Sequence, residues 1–98
     1  MTYETSFSKD MSLVTLAGDV DFTSADALSV LEKTLVDREN IVVDVEGLKY
    51  VDSSFLRFLI RVKEHADKEE PTTVELVGVK PKLRRALEVT GLSSMFEL

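Results

Sequence analysis

Hydrophobic and polar positions change period several times along the 98 residues of the chain. Tyr3, Thr5 and Phe7 alternate with Glu4 and Ser6, the period of an edge strand with one wet face. Ser8-Lys9-Asp10 reads as a turn. Met11 to Ala17, carrying Met11, Leu13, Val14 and Leu16, predicts a second strand pairing back on the first as an antiparallel hairpin, and Gly18 is expected to end it. Gly18 to Ser24 has the polar, Gly-containing character of a strand-to-helix loop, and Thr23-Ser24-Ala25-Asp26 has the make-up of a capping box. The helix that follows places Leu28, Leu31 and Leu35 at i, i+3 and i+7, with Ala25 and Val36 widening the stripe. One face of it must lie against the sheet.

The period breaks again at Ile41. Four of the five residues Ile41-Val42-Val43-Asp44-Val45 are β-branched and apolar with almost no alternation, which predicts a strand covered on both faces in the middle of a parallel sheet. From Phe55 onward the spacing is helical, through Phe58, Leu59, Val62 and Ala66, until Pro71 forbids continuation. Thr72 to Val77 resumes a strand pattern and Gly78-Val79-Lys80 a turn. Pro81 opens a third helix carrying Leu83, Ala86 and Leu87 inward, with Gly91 just past its end. Leu92 to Leu98 reads as a short terminal strand. Helices that join successive strands require those strands to run parallel. The expectation is therefore a single α/β domain over residues 1–98, with a mixed sheet of four to five strands (antiparallel hairpin first, parallel strands after it) and three helices.

Composition removes whole classes of function. With no Cys and one His there is no disulfide scaffold, no thiolate nucleophile and no plausible zinc cluster. A net charge of −6 repels a phosphate backbone, which argues against direct nucleic-acid binding and for basic protein surfaces as partners. No basic segment precedes an apolar run at the N-terminus, and no stretch approaches the roughly 18 apolar residues of a spanning helix, so a cytoplasmic location without membrane insertion is expected. No internal repeat or low-complexity tract marks a second domain. The basic residues Lys80, Lys82, Arg84 and Arg85 cluster around the third helix and read as a solvated face or a contact for an acidic partner.

The chemistry concentrates where the strand pattern gives way to the helix pattern, at Asp52-Ser53-Ser54. The side-chain oxygens of these residues can accept from the free N–H groups of a helix start. A phosphate of charge about −1.5 to −2 on a serine there is held by the same donors and by the positive end of the helix dipole. Taken as local sequence, the same three residues are first of all the make-up of an ordinary helix cap. Ser53 and His65 stand twelve residues apart on one predicted helix, about 18 Å of rise, so they cannot form a nucleophile–base pair. No Gly-rich phosphate cradle occurs. Neither an enzyme nor a cofactor is expected.

Several short motifs, in order, resemble the STAS domain family typified by bacterial anti-sigma-factor antagonists: Gly18-Asp19-Val20-Asp21, Val42-Val43-Asp44-Val45-Glu46-Gly47-Leu48, Val51-Asp52-Ser53-Ser54 with Leu56, and Thr90-Gly91-Leu92. The resemblance implies a STAS-like fold and a protein-binding module. It implies Ser53 as phosphoacceptor and Asp21 as a neighbouring acidic residue in the facing loop; Asp52 and Ser54 adjoin the phosphate by position, and are otherwise a cap and a bystander in the first turn. The partner surface is expected at Thr23, Ser24, Phe55, Arg57, Phe58 and Arg61. The implied partners are an ATP-binding serine kinase that is also the anti-sigma factor, sequestered while Ser53 is unmodified, and a phosphatase; the free protein is expected to be a monomer. An alternative within the fold resembles the STAS subunit that docks on and regulates the ATPase of a bacterial phospholipid-transport ABC system, with no phosphorylation cycle. The chain departs from the family in two places. Phe55 stands where Gly is usual, a bulky side chain beside the acceptor, and the terminal helix of many members has no counterpart before Leu98. Apolar residues on the second helix span an arc of roughly 200°, so Phe55 and Phe58 are either core residues or, with Arg57 and Arg61, a docking patch.

Overall fold

The computed structural model describes residues 1–68, 72–96 and 98. Four strands and three helices follow in the order β1 (Thr2–Phe7), β2 (Ser12–Val20), α1 (Ala25–Leu35), β3 (Ile41–Val51), α2 (Ser53–Lys68), β4 (Val74–Val77) and α3 (Pro81–Val89), with short 3-10 helices at Phe22–Ser24 and Ser93–Phe96. The sheet order is β1-β2-β3-β4. Only the β1–β2 pair is antiparallel, while β2–β3 and β3–β4 are parallel. This is the mixed sheet that the hairpin and the helical crossovers predict. Among the described residues the expected terminal strand does not form: Ser93–Phe96 is a 3-10 helix whose Phe96 is buried in the common core. The expected helix stop at Pro71 lies outside the described residues.

Alternation along the strands shows which face is covered. Ile41, Val43 and Val45 of β3, Val14 and Leu16 of β2, and Val74 and Leu76 of β4 are buried in one cluster with Leu28, Leu31 and Leu35 of α1 and Phe55, Phe58, Leu59 and Val62 of α2. Leu83 and Leu87 of α3 belong to the same cluster. On the opposite face, Leu13, Thr15, Val42, Asp44 and Val77 are half-exposed and Glu4, Ser6 and Glu75 exposed. The double-sided cover expected of the central strand is therefore wrong. The helices share one face, and Val42 sits on the other because an alternating strand must send it there.

Strand β3 runs six residues beyond Val45. Two register shifts against β2, between Thr15 and Ala17 and between Gly18 and Asp19, each set one additional β3 residue opposite its neighbour. The period of two gives way to steps of three, and the buried Val45 is followed by the buried Leu48. Gly18 does not end β2. It adopts φ +84° inside the strand, a left-handed conformation that glycine takes without strain, and the strand continues to Val20. At the other end of the sheet Asn40, at φ +49°, clamps three segments: its amide nitrogen donates to the Asp10 carbonyl (2.7 Å), its backbone N–H to Thr72 Oγ1 (2.8 Å), and its amide oxygen accepts from Thr73 Oγ1 (3.1 Å). This fixes the strand starts and leaves the strand ends, where Asp21 and Asp52-Ser53-Ser54 lie, as the open pole of the molecule.

Candidate functional site

Strands β2 and β3 finish side by side, with Val20 paired to Val51 and the Asp52 N–H donating to the Val20 carbonyl at 3.1 Å. The Asp21 loop and the start of α2 are thereby brought together by backbone register. Asp52 caps α2: its Oδ1 accepts from the Ser54 N–H at 2.7 Å, and its carbonyl accepts from Phe55 N at 3.1 Å. Ser53 is the first residue of the helix and is exposed, and its hydroxyl has no hydrogen bond within the described residues. Ser54 is half-buried and is tied to the cap through its N–H.

In the facing loop the capping box lies two residues before its expected place. Asp21, and not Thr23, is the cap: its Oδ1 accepts from the Thr23 N–H at 2.9 Å and from the Thr23 hydroxyl, and Ser24 Oγ accepts in return from the Asp21 N–H at 3.3 Å. The expected box failed because a 3-10 turn intervenes before α1, and Ser24 makes no side-chain cap to that helix. The Thr23 hydroxyl, followed by its backbone N–H, holds the Asp21 carboxyl below the usual carboxylate range. Asp21 is thus a fixed negative charge beside the junction. Thr23 is exposed, but Ser24 is buried at 6% exposure and is occupied by the cap, so it offers nothing to a partner.

Helix α2 turns its aromatic side chains inward. Phe55 is 0% and Phe58 2% exposed, with ring centroids 6.4 Å apart. Both belong to the core, which takes the apolar half from the docking patch expected of them. The same burial removes the bulk of Phe55 from the neighbourhood of Ser53, since the ring points away from the solvent that the Ser53 side chain faces. Arg57 and Arg61 are exposed. Arg61 lies 3.7 Å from Glu32 Oε2 and His65 Nε2 lies 3.3 Å from Glu32 Oε1, a surface contact that ties α2 to α1. With α2 continuous from Ser53 to Lys68, His65 is remote from Ser53.

Two exposed aromatics near the junction were not anticipated. Phe22, 77% exposed, follows Asp21 directly, and Tyr50, 50% exposed, stands two residues before Asp52. A phenylalanine set in an otherwise polar loop, outside either apolar stripe, was the available signal for the first. The bulge that turns Tyr50 outward left no mark in the local sequence.

The family model described as "Mlab, STAS domain" matches residues 4–97. A STAS-domain containing protein of Pseudomonas aeruginosa (strain UCBPP-PA14) is 26% identical over 86 residues, covering 87% of this chain and 84% of its own. The crystal structure of an anti-sigma factor antagonist from Mycobacterium paratuberculosis superposes with a TM-score of 0.82 at 25% identity, covering 97% of this chain and 81% of that one. The Bacillus cell fate determinant SpoIIAA in its phosphorylated form superposes with a TM-score of 0.77 at 15% identity, over 96% of this chain and 87% of its own. The helices on one face of a mixed sheet, the capped junction at Asp52-Ser53-Ser54 and a family match over nearly the whole length agree: this chain belongs to the STAS domain family.

Proposed function

We propose that this chain is a phosphorylation-switched protein-binding module of the anti-sigma-factor-antagonist kind, located in the cytoplasm, which sequesters a serine kinase that doubles as an anti-sigma factor while Ser53 is unmodified. The observation that carries the reading is the exposed Ser53 hydroxyl, unengaged by other described residues at the first position of a capped helix. In the switching step the kinase transfers the γ-phosphoryl group of its ATP to Ser53 Oγ, with loss of the hydroxyl proton and release of ADP; a phosphatase restores the serine by hydrolysis. The backbone need not move, because Ser53 already faces solvent at the positive end of the α2 dipole, where added negative charge is favoured. The change is felt at the partner surface. A group of about −1.5 to −2 charge joins Asp52 and Asp21, and pressing like charges together at an interface costs several kcal/mol. Exposed Thr23, Arg57 and Arg61 remain as contact candidates on that surface.

The test is intact-mass measurement after incubation with ATP and candidate ATP-binding serine kinases. Wild type is expected to gain one phosphoryl group and Ser53→Ala none; phosphate retained on the Ala variant would refute the site. Docking without any phosphate on wild type would move the chain to the alternative class, an ATPase-docking subunit of a phospholipid-transport system.

A further inference from the structure

Between the far end of β3 and helix α3 lies a cavity of about 420 Å³, within the range of small-molecule sites. Its floor is apolar: Val45, Leu48 and Val51 from β3, spaced by the two bulges so that they line it together, face Leu83 and Ala86 from α3. Val45, Leu48 and Leu83 are buried, whereas the remaining wall is exposed and basic, with Lys49, Lys80 and Lys82 beside Tyr50. No carboxylate lines the cavity among the described residues, although the chain carries 18 acidic residues against 12 basic ones. None of the three ammonium groups has an ion-pair partner among the described residues. An unneutralised trio of lysines over a greasy floor, in a protein otherwise acidic, is complementary to one kind of guest.

We infer that this cavity is a binding site for an amphiphilic anion, a molecule with an apolar body and a phosphate or carboxylate head. The body fills the floor between β3 and α3, and the head is held at the mouth by the three lysines, whose long stems let the charges converge while remaining hydrated. The site is separate from the Ser53 hydroxyl, but its wall residues Tyr50 and Val51 run directly into Asp52.

Titration calorimetry with decyl phosphate, kept below its micelle-forming concentration, tests the inference on the whole chain. Saturable binding near one per chain is expected, with decanol and inorganic phosphate each at least tenfold weaker. Lys80→Glu with Lys82→Glu is expected to weaken decyl phosphate binding at least tenfold. Ala86→Trp, which fills the floor, is expected to abolish it while circular dichroism and the melting curve stay as in wild type. If that variant fails to fold, the lysine double variant and the decanol comparison decide alone. Decyl phosphate binding that is undetectable, no tighter than that of decanol, or unaffected by the lysine variants would overturn the proposal. Flotation with vesicles of phosphatidylcholine and phosphatidylglycerol separates free ligand from membrane headgroup. Vesicle binding that decyl phosphate displaces identifies the lipid as a source of the same guest; vesicle binding that neither decyl phosphate nor the lysine variants reduce, joined to no calorimetric signal, contradicts the site.

Discussion

At the scale of single residues the junction is held by two aspartates with different duties. Asp52 satisfies the Ser54 N–H of α2, so Asp52→Ala should cost about 1 kcal/mol in urea unfolding, and Asp52→Asn, which keeps an accepting oxygen, should cost less. Asp21 acts on its own loop. Because the Thr23 hydroxyl and N–H lower its folded-state pKa, the stabilisation it supplies is fully present above the unfolded carboxylate value of about 3.9 and is lost as pH falls through the lower folded value. Asp21→Asn should therefore flatten the loss of stability below about pH 4 and leave the dependence near neutral pH unchanged, as read by thermal unfolding across a pH series. Gly78 is a third special residue. At φ +72°, with an added Cβ only 2.6 Å from Glu46 Cβ, it admits no side chain. Gly78→Ala should destabilise by more than about 1 kcal/mol.

At the scale of elements, the open and closed poles of the sheet explain where change is tolerated. Asn40 joins the segments around Asp10, Thr72 and Thr73 through three hydrogen bonds. Asn40→Ala removes its two side-chain bonds and asks alanine to hold φ +49°, so a loss of about 2 kcal/mol is expected in denaturant titration, with no effect on docking at the far pole. The contact of Glu32 with Arg61 and His65 is exposed and worth at most about 1 kcal/mol, so Arg61→Ala is a usable probe of partner binding. Periodic patterns made the elements legible: Leu28, Leu31 and Leu35 declared α1, and the Asp52-Ser53-Ser54 cluster between two periods declared the junction. The misreadings share a physical origin. Ile41–Val45 looked two-sided because β-branched residues favour strands whether or not both faces are covered. The length of β3 was hidden because bulges are set by pairing with β2, a partner far away in sequence. Phe55 and Phe58 could belong to core or surface until the orientation of α2 was known.

At the scale of the whole molecule, a one-sided helix layer leaves a domain with one pole tied together by Asn40, a sheet face that no helix covers among the described residues, and an open pole at the ends of β2 and β3. Among the described residues no helix is long and apolar enough to cross a membrane. The two proposed sites share one end of the fold: the Ser53 junction, and the lysine-rimmed cavity one strand-end away. The central claim is that charge at Ser53, with the fold unaltered, controls docking. Its most direct test is the affinity of the kinase that phosphorylates the wild type, measured by titration calorimetry without nucleotide, for wild type, Ser53→Ala and Ser53→Glu, with melting curves recorded alongside. The account predicts equal melting, near-equal affinity for wild type and Ser53→Ala, and at least a tenfold loss for Ser53→Glu. Undiminished affinity of a folded Ser53→Glu protein would contradict it.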